Sequence, residues 1–108
     1  MTPPAEEGGP IRVVVNKDLE DLIPGYLENR RRDIGRLQEA LSQGDWERLR
    51  ILGHSMAGSG GGYGFVEITT LGRQLERAAQ ARDASQVEAR IRELASYLDR
   101  VRVETSPS

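Results

Sequence analysis

From about residue 17 onward, apolar residues recur every three or four positions, the spacing that lines one face of an α-helix. At about 100° per residue, Ile23, Leu27, Ile34, Leu37 and Leu41 fall within an arc of roughly 80°. They predict a first helix from Lys17 or Asp18 to Ser42, with Pro24 marking a kink or a restart as a first-turn residue. Arg30 lies inside the same arc and is expected to snorkel past the edge of the core. Gly44 ends this helix and Asp45 is a natural N-cap for the next. The second helix carries Trp46, Leu49, Leu52 and Met56 and runs into "GSGGGYG". A third spans about Gly64 to Ala81, with Phe65, Ile68, Leu71, Leu75, Ala78 and Ala79 inward. Gly72 shares that inward arc, where a missing side chain lets two helices approach closely. Asp83 or Ser85 caps a fourth helix, in which Val87, Ile91, Leu94, Leu98 and Val101 recur at spacings of 4, 3, 4 and 3.

Four amphipathic helices joined by short turns predict an all-α fold, an antiparallel four-helix bundle over residues 17–103. Residues 1–10 are rich in Pro, Gly and Glu and are expected to be a mobile tail. "IRVVVN" (11–16) has β-branched character, but no second strand is evident to pair with it. Residues 1–16 are therefore expected to form a mobile or extended N-terminal lead-in lying against the bundle, and 104–108 a polar tail. Nothing divides the chain into further domains. An initial Met1 and polar ends point to a stand-alone protein.

Composition narrows the chemistry. With 37% hydrophobic and 30% charged residues, the chain falls with ordinary globular domains and not with disordered or membrane-spanning ones. Its net charge of −2 is nearly neutral, and its arginines are interleaved with acids, so no one-signed face for nucleic acid stands out. The absence of cysteine excludes disulfides, thiolate metal sites and cysteine nucleophiles, and fits a reducing compartment. The sequence holds neither a signal-peptide pattern nor a long apolar run, so the expected location is the cytoplasm, away from the membrane.

The sole histidine, His54, stands directly before the glycine-rich segment. With Leu49 at zero on a helical wheel, Leu52 and Met56 set the core direction near 330°, and His54 falls at about 140°. The imidazole is thus predicted to face solvent, among Glu47, Arg50, Ile51, Ala57 and Gly58. Ala57 and Gly58 keep the surface flat around the ring, and Ile51 is an apolar residue on the outer face. Small residues around an exposed nucleophile let another protein's active site close over it. A turn needs one or two glycines, yet Gly58, Gly60, Gly61 and Gly62 fall within five positions.

Other motifs fail. The glycine run fits neither the dinucleotide fingerprint nor a P-loop, and no strand precedes it. Ser59 in "AGSGG" lacks the spacing, residue order and sheet of a hydrolase elbow. Ile51 occupies the position where a carboxylate di-metal bundle needs Glu, and one histidine without cysteine leaves no zinc site. "ENRRRD" (28–33) reads as a solvated helix face with Glu28 and Arg32 paired.

The segment "HSMAGSGGGYGFVEITTLGRQLERA" resembles the histidine-phosphotransfer (HPt) domains of bacterial two-component phosphorelays. His54 matches the phosphoacceptor, Gly58 the glycine that follows the family's lysine, and Gly64-Phe65 the pair that opens the third helix. Leu71, Leu75 and Glu76 match the usual "L-x-x-x-L-E", and "DLEDLIPGYLENRRRDI" is similar to the family's first helix, so the resemblance covers about residues 16–100. One departure is plain: Ala57 stands where the family places a lysine that neutralises phosphate. Arg50, one turn before His54 and about 40° around the helix, is a candidate replacement cation.

The resemblance implies a phosphocarrier and not an enzyme. His54 would take a phosphoryl group from a receiver-domain aspartyl phosphate, or from a kinase, and pass it to another receiver aspartate. The chain would need no cofactor or metal of its own, because the partner receiver brings Mg²⁺, the aspartate and its lysine. Partners would be response-regulator receivers or a hybrid histidine kinase, and the protein a monomer. Ile51, Ala57 and Gly58 would form the docking surface, with Glu47 and Arg50 tuning partner choice. Two other readings stay open: a helical docking module that is not phosphorylated, favoured by the missing lysine, and a purely structural bundle.

Overall fold

The computed structural model describes residues 9–106. The expected tail over residues 1–8 and the last two residues, 107–108, lie outside the described residues. The order of elements is β1 (Ile11–Val15), a 3-10 turn (Lys17–Leu22), α1 (Ile23–Ser42), α2 (Trp46–Gly60), a second 3-10 turn (Gly61–Tyr63), α3 (Val66–Gln80), α4 (Ala84–Arg100) and β2 (Val101–Thr105).

The helix boundaries follow local chemistry. Asn16 caps the first 3-10 turn by accepting from Asp18 N at 2.7 Å, and α1 starts afresh with Pro24 in its first turn, where no amide is needed. Asp45 and Asp83 cap α2 and α4, accepting from Arg48 N and Gln86 N at 3.1 Å each. Gly44 takes a left-handed conformation between α1 and α2. Between α2 and α3 the chain reverses at Gly64, whose φ of +97° suits glycine.

The four helices form a bundle in which α1 packs on α2 and α4, and α3 packs on the same two. Leu37, Leu49, Met56, Phe65, Ile68, Leu75, Val87 and Leu94 are fully buried at its centre, as the periodicity predicts. Trp46, Leu52, Ile34 and Leu41 pack at the edge of this core, half-buried. Tyr26, Ala40 and Tyr97 join it from positions beside the predicted stripes.

The first α-helix begins at Ile23 and not at Lys17 or Asp18, because Pro24 restarts it after a 3-10 turn, and two further features depart from the sequence-based expectation. First, the extended lead-in has a partner. β1 pairs with β2 in parallel, in register from Ile11 opposite Val101 to Val15 opposite Thr105, and Ser106 N donates to Val15 O at 3.0 Å. The helical bundle itself is the crossover that parallel pairing requires. Val101 extends the α4 stripe in spacing, but its backbone is already extended, and residues 104–105 belong to β2 and not to a polar tail. Val15 and Val101 are buried on the bundle, which supplies the apolar support that two strands alone lack.

Second, Arg30 is held in the core edge by a counter-ion. Its Nε donates to Asp33 Oδ2 at 2.8 Å, Arg36 donates to Asp33 Oδ1 at 2.9 Å, and the Arg30 guanidinium lies 4.7 Å from the centroid of the Tyr26 ring. Tyr26 OH and Ser59 Oγ are 3.1 Å apart, and Tyr26 stacks on Tyr63 at 4.3 Å. Asp33 is buried, and this network ties α1 to the end of α2.

Candidate functional site

The position of His54 is fixed by how closely α2 and α3 approach. A Cβ on Gly53 would come within 2.8 Å of Glu76 N and Gly72 O, and one on Gly72 within 2.6 Å of Ala57 N. A third close approach sets Gly60 against Thr69 N, at 2.7 Å from a would-be Cβ. Two backbones in contact need glycine at the crossing, so Gly53, Gly60 and Gly72 act through their missing side chains. Thr69 adds a clasp, donating from Oγ1 to Ala57 O at 3.1 Å and accepting from Gly61 N at 2.7 Å.

His54 follows Gly53 on α2 and projects away from the core, with its side chain 73% exposed. The close crossing brings Glu76 of α3 to it: Nδ1 and Glu76 Oε2 are 3.2 Å apart. A carboxylate only accepts, so Nδ1 donates in this contact, and in the neutral ring that tautomer puts the lone pair on Nε2. Beside the ring opens a shallow hollow of about 200 Å³ lined by His54, Ala57 and Gly58 from α2 and by Arg73 and Glu76 from α3.

The residues that the wheel places around His54 divide into three groups. Ala57 and Gly58 line the hollow itself, and a Cβ on Gly58 would meet nothing within 4 Å, so this side of the ring is open. Ile51 is exposed on the outer face of α2, as its wheel position predicts. Glu47 and Arg50 form a two-pronged ion pair, with Arg50 Nε and Nη2 donating to the carboxylate at 3.1 and 2.7 Å. That hydrogen bonding, reinforced by opposite charge, holds the Glu47 carboxyl below its usual range and the Arg50 guanidinium above its own.

Arg73 has no place in the sequence-based set, and Glu76 enters it only as part of a motif match. Both lie on another helix, and only the α2–α3 crossing brings them to His54. A signal was present nonetheless. Gly72 marks the contact on α3, and the residues one and four positions after it rim that contact.

Among the described residues, no three or more His, Cys, Asp or Glu side chains come together as a metal-binding group. No helix of the described residues is long and apolar enough to cross a membrane. Comparisons with curated proteins and with solved structures gave no match. A family model, the Hpt domain, matches residues 21–104 and thus takes in the whole of the hollow and the close α2–α3 crossing. With a helical bundle, an exposed histidine and this match over most of its length, the chain belongs to the Hpt domain family, the phosphocarriers of two-component signalling that work with receiver domains or kinases.

Proposed function

We propose that His54 is the phosphoacceptor of a phosphorelay intermediate. The observation that carries this reading is the ring itself: exposed, with Nδ1 engaged by Glu76 and Nε2 free. In the forward step the Nε2 lone pair attacks the phosphorus of an aspartyl phosphate on a receiver. The Nε2–P bond forms, the acyl P–O bond breaks, and the aspartate leaves as carboxylate with the bonding pair. Nδ1 keeps its proton, and the Glu76 carboxylate offsets the positive charge that the ring acquires. In the onward step a second receiver's carboxylate attacks the same phosphorus and the electron pair returns to Nε2. Glu76 thus positions the ring and favours the tautomer whose nucleophilic nitrogen points at the partner.

Phosphoryl transfer depends on in-line positioning and charge neutralisation more than on covalent help from the protein. In this division of labour Mg²⁺, the acceptor aspartate and a lysine come with the receiver. This chain contributes an aimed nucleophile and a surface low enough to enter the receiver's site. Ile51, Ala57 and Gly58 form that surface, and the Glu47–Arg50 pair at its margin tunes which receivers dock.

The test is incubation with a phosphorylated receiver, followed by assay for acid-labile, base-stable label on this chain. Wild type is expected to take up label and His54→Gln to take up none. Label that persists in His54→Gln overturns the assignment. Ala57, standing where the family's lysine is expected, favours the second reading of a docking module. Receivers that bind the wild type but never label it would establish that reading instead.

A further inference from the structure

We propose that Arg73 of α3 is the cation that holds the phosphoryl group on His54, the task left open by Ala57. This rests on the reading of His54 as phosphoacceptor. A phosphoryl group on Nε2 would bring up to two negative charges, and with the Glu76 carboxylate already matched to the charge on the ring, a cation in the hollow is needed to offset the phosphoryl oxygens. Arg73 lines that hollow with His54, Ala57, Gly58 and Glu76, and it is the one cation among the described lining residues. It is exposed, and among the described residues it has no ion-pair partner, whereas Arg50 is engaged through two nitrogens by Glu47.

Space and reach favour the same residue. The hollow of about 200 Å³ is open to solvent on its outer side and leaves room for a phosphoryl group beside the ring. It exists because Ala57 and Gly58 project almost nothing into it. Ala57, standing where the family places a lysine, thus leaves room for a guanidinium from α3. Gly72, next to Arg73, holds the α3 backbone against Ala57 N and fixes where that guanidinium starts. A guanidinium suits the task, since its planar fork can donate two parallel hydrogen bonds to phosphate oxygens.

The cation acts on lifetime. Breakdown of the N–P bond passes through a loose, metaphosphate-like transition state, in which the equatorial oxygens carry less charge than in the resting phosphoryl group. A cation bound to those oxygens therefore lowers the resting state more than the transition state, and the phosphohistidine lasts longer. An exposed but phosphate-directed pair of this kind corresponds to a change of roughly five-fold in half-life.

The experiment labels His54 with phosphoramidate, a small-molecule donor, and follows hydrolysis of the phosphohistidine by phosphorus NMR in the intact chain. Arg73→Ala is expected to shorten the half-life roughly five-fold and Arg73→Lys to restore most of it, with both variants melting as wild type. Arg77→Ala, an exposed arginine one turn further along α3, keeps the wild-type half-life. A wild-type half-life in Arg73→Ala overturns the assignment, as does a shortening that follows Arg50→Ala instead. The donor is not a protein, so the result does not depend on any receiver. Failure of receiver transfer beside an Arg73-dependent half-life would sink the relay reading alone, and working transfer with an Arg73-independent half-life would sink this one alone. A wild type that takes label on His54 from neither phosphoramidate nor a phosphorylated receiver overturns both.

Discussion

Two polar clusters flank α2, and they treat their charges in opposite ways. On the α1 side, Arg30, Asp33, Tyr26 and Ser59 form a part-buried network in which the buried Asp33 receives both Arg30 and Arg36 and the phenol meets a hydroxyl. On the α3 side, His54, Glu76 and Arg73 surround an open hollow in which Nε2 and the Arg73 guanidinium have no partner among the described residues. The first cluster is complete in itself, as buried charge must be. The second keeps a ring nitrogen and a guanidinium unengaged by other side chains, the two groups between which the proposed phosphoryl group would lie. Residual capacity for hydrogen bonding and charge is therefore what separates a structural network from a site, more than the number of polar residues in it.

That contrast can be broken most strongly from the structural side. Asp33→Ala leaves Arg30, only 15% exposed along its side chain, without its counter-ion. It is expected to cost about 3 kcal/mol of stability, read as a lower urea midpoint at unchanged slope. Phosphohistidine half-life, measured well below the unfolding transition, is expected to stay at the wild-type value. A loss of lifetime in the folded variant would show that the two clusters communicate.

Gly72→Ala strikes the seam between α2 and α3. Its new Cβ would lie 2.6 Å from Ala57 N, so the helices must separate, at about 2 kcal/mol by the usual cost of overpacking. Both stability and labelling are expected to fall, because Glu76 and Arg73 move away from His54. Stability lost with labelling intact would mean that the close crossing is not what assembles the hollow.

A smaller effect sharpens the comparison on the open side. Glu76→Gln keeps the shape and a hydrogen bond but removes the charge that offsets the phosphorylated ring. The rate of transfer from a phosphorylated receiver is expected to drop about ten-fold, equivalent to about 1.4 kcal/mol, with the melting temperature unchanged. An unaltered rate would reduce Glu76 to a passive neighbour.

How far the sequence alone reaches depends on the range of the interaction concerned. The outward direction of His54 is legible because a helix fixes angles from local spacing, and Leu49, Leu52 and Met56 lie within seven residues of it. The caps at Asp45 and Asp83 and the restart at Pro24 are equally local. Arg30 is instructive because its partner is only three residues away, yet the periodicity expects a solvated stem. An i,i+3 ion pair ordinarily sits on a surface, and only the packing of α1 against the end of α2 turns this one inward.

The sequence by itself determined four helices, the caps at Asp45 and Asp83 and the outward histidine, since each follows from contacts within one or two turns. Tertiary structure alone decided that Ile11–Val15 pairs with Val101–Thr105, a register spanning 90 residues that neither strand specifies locally. It also decided that Glu76 and Arg73, and not only the neighbours of His54 on its own helix, stand at the ring. Which faces of two helices meet depends on how closely their backbones approach. Here that distance is set by Gly53, Gly60 and Gly72 acting together across α2 and α3.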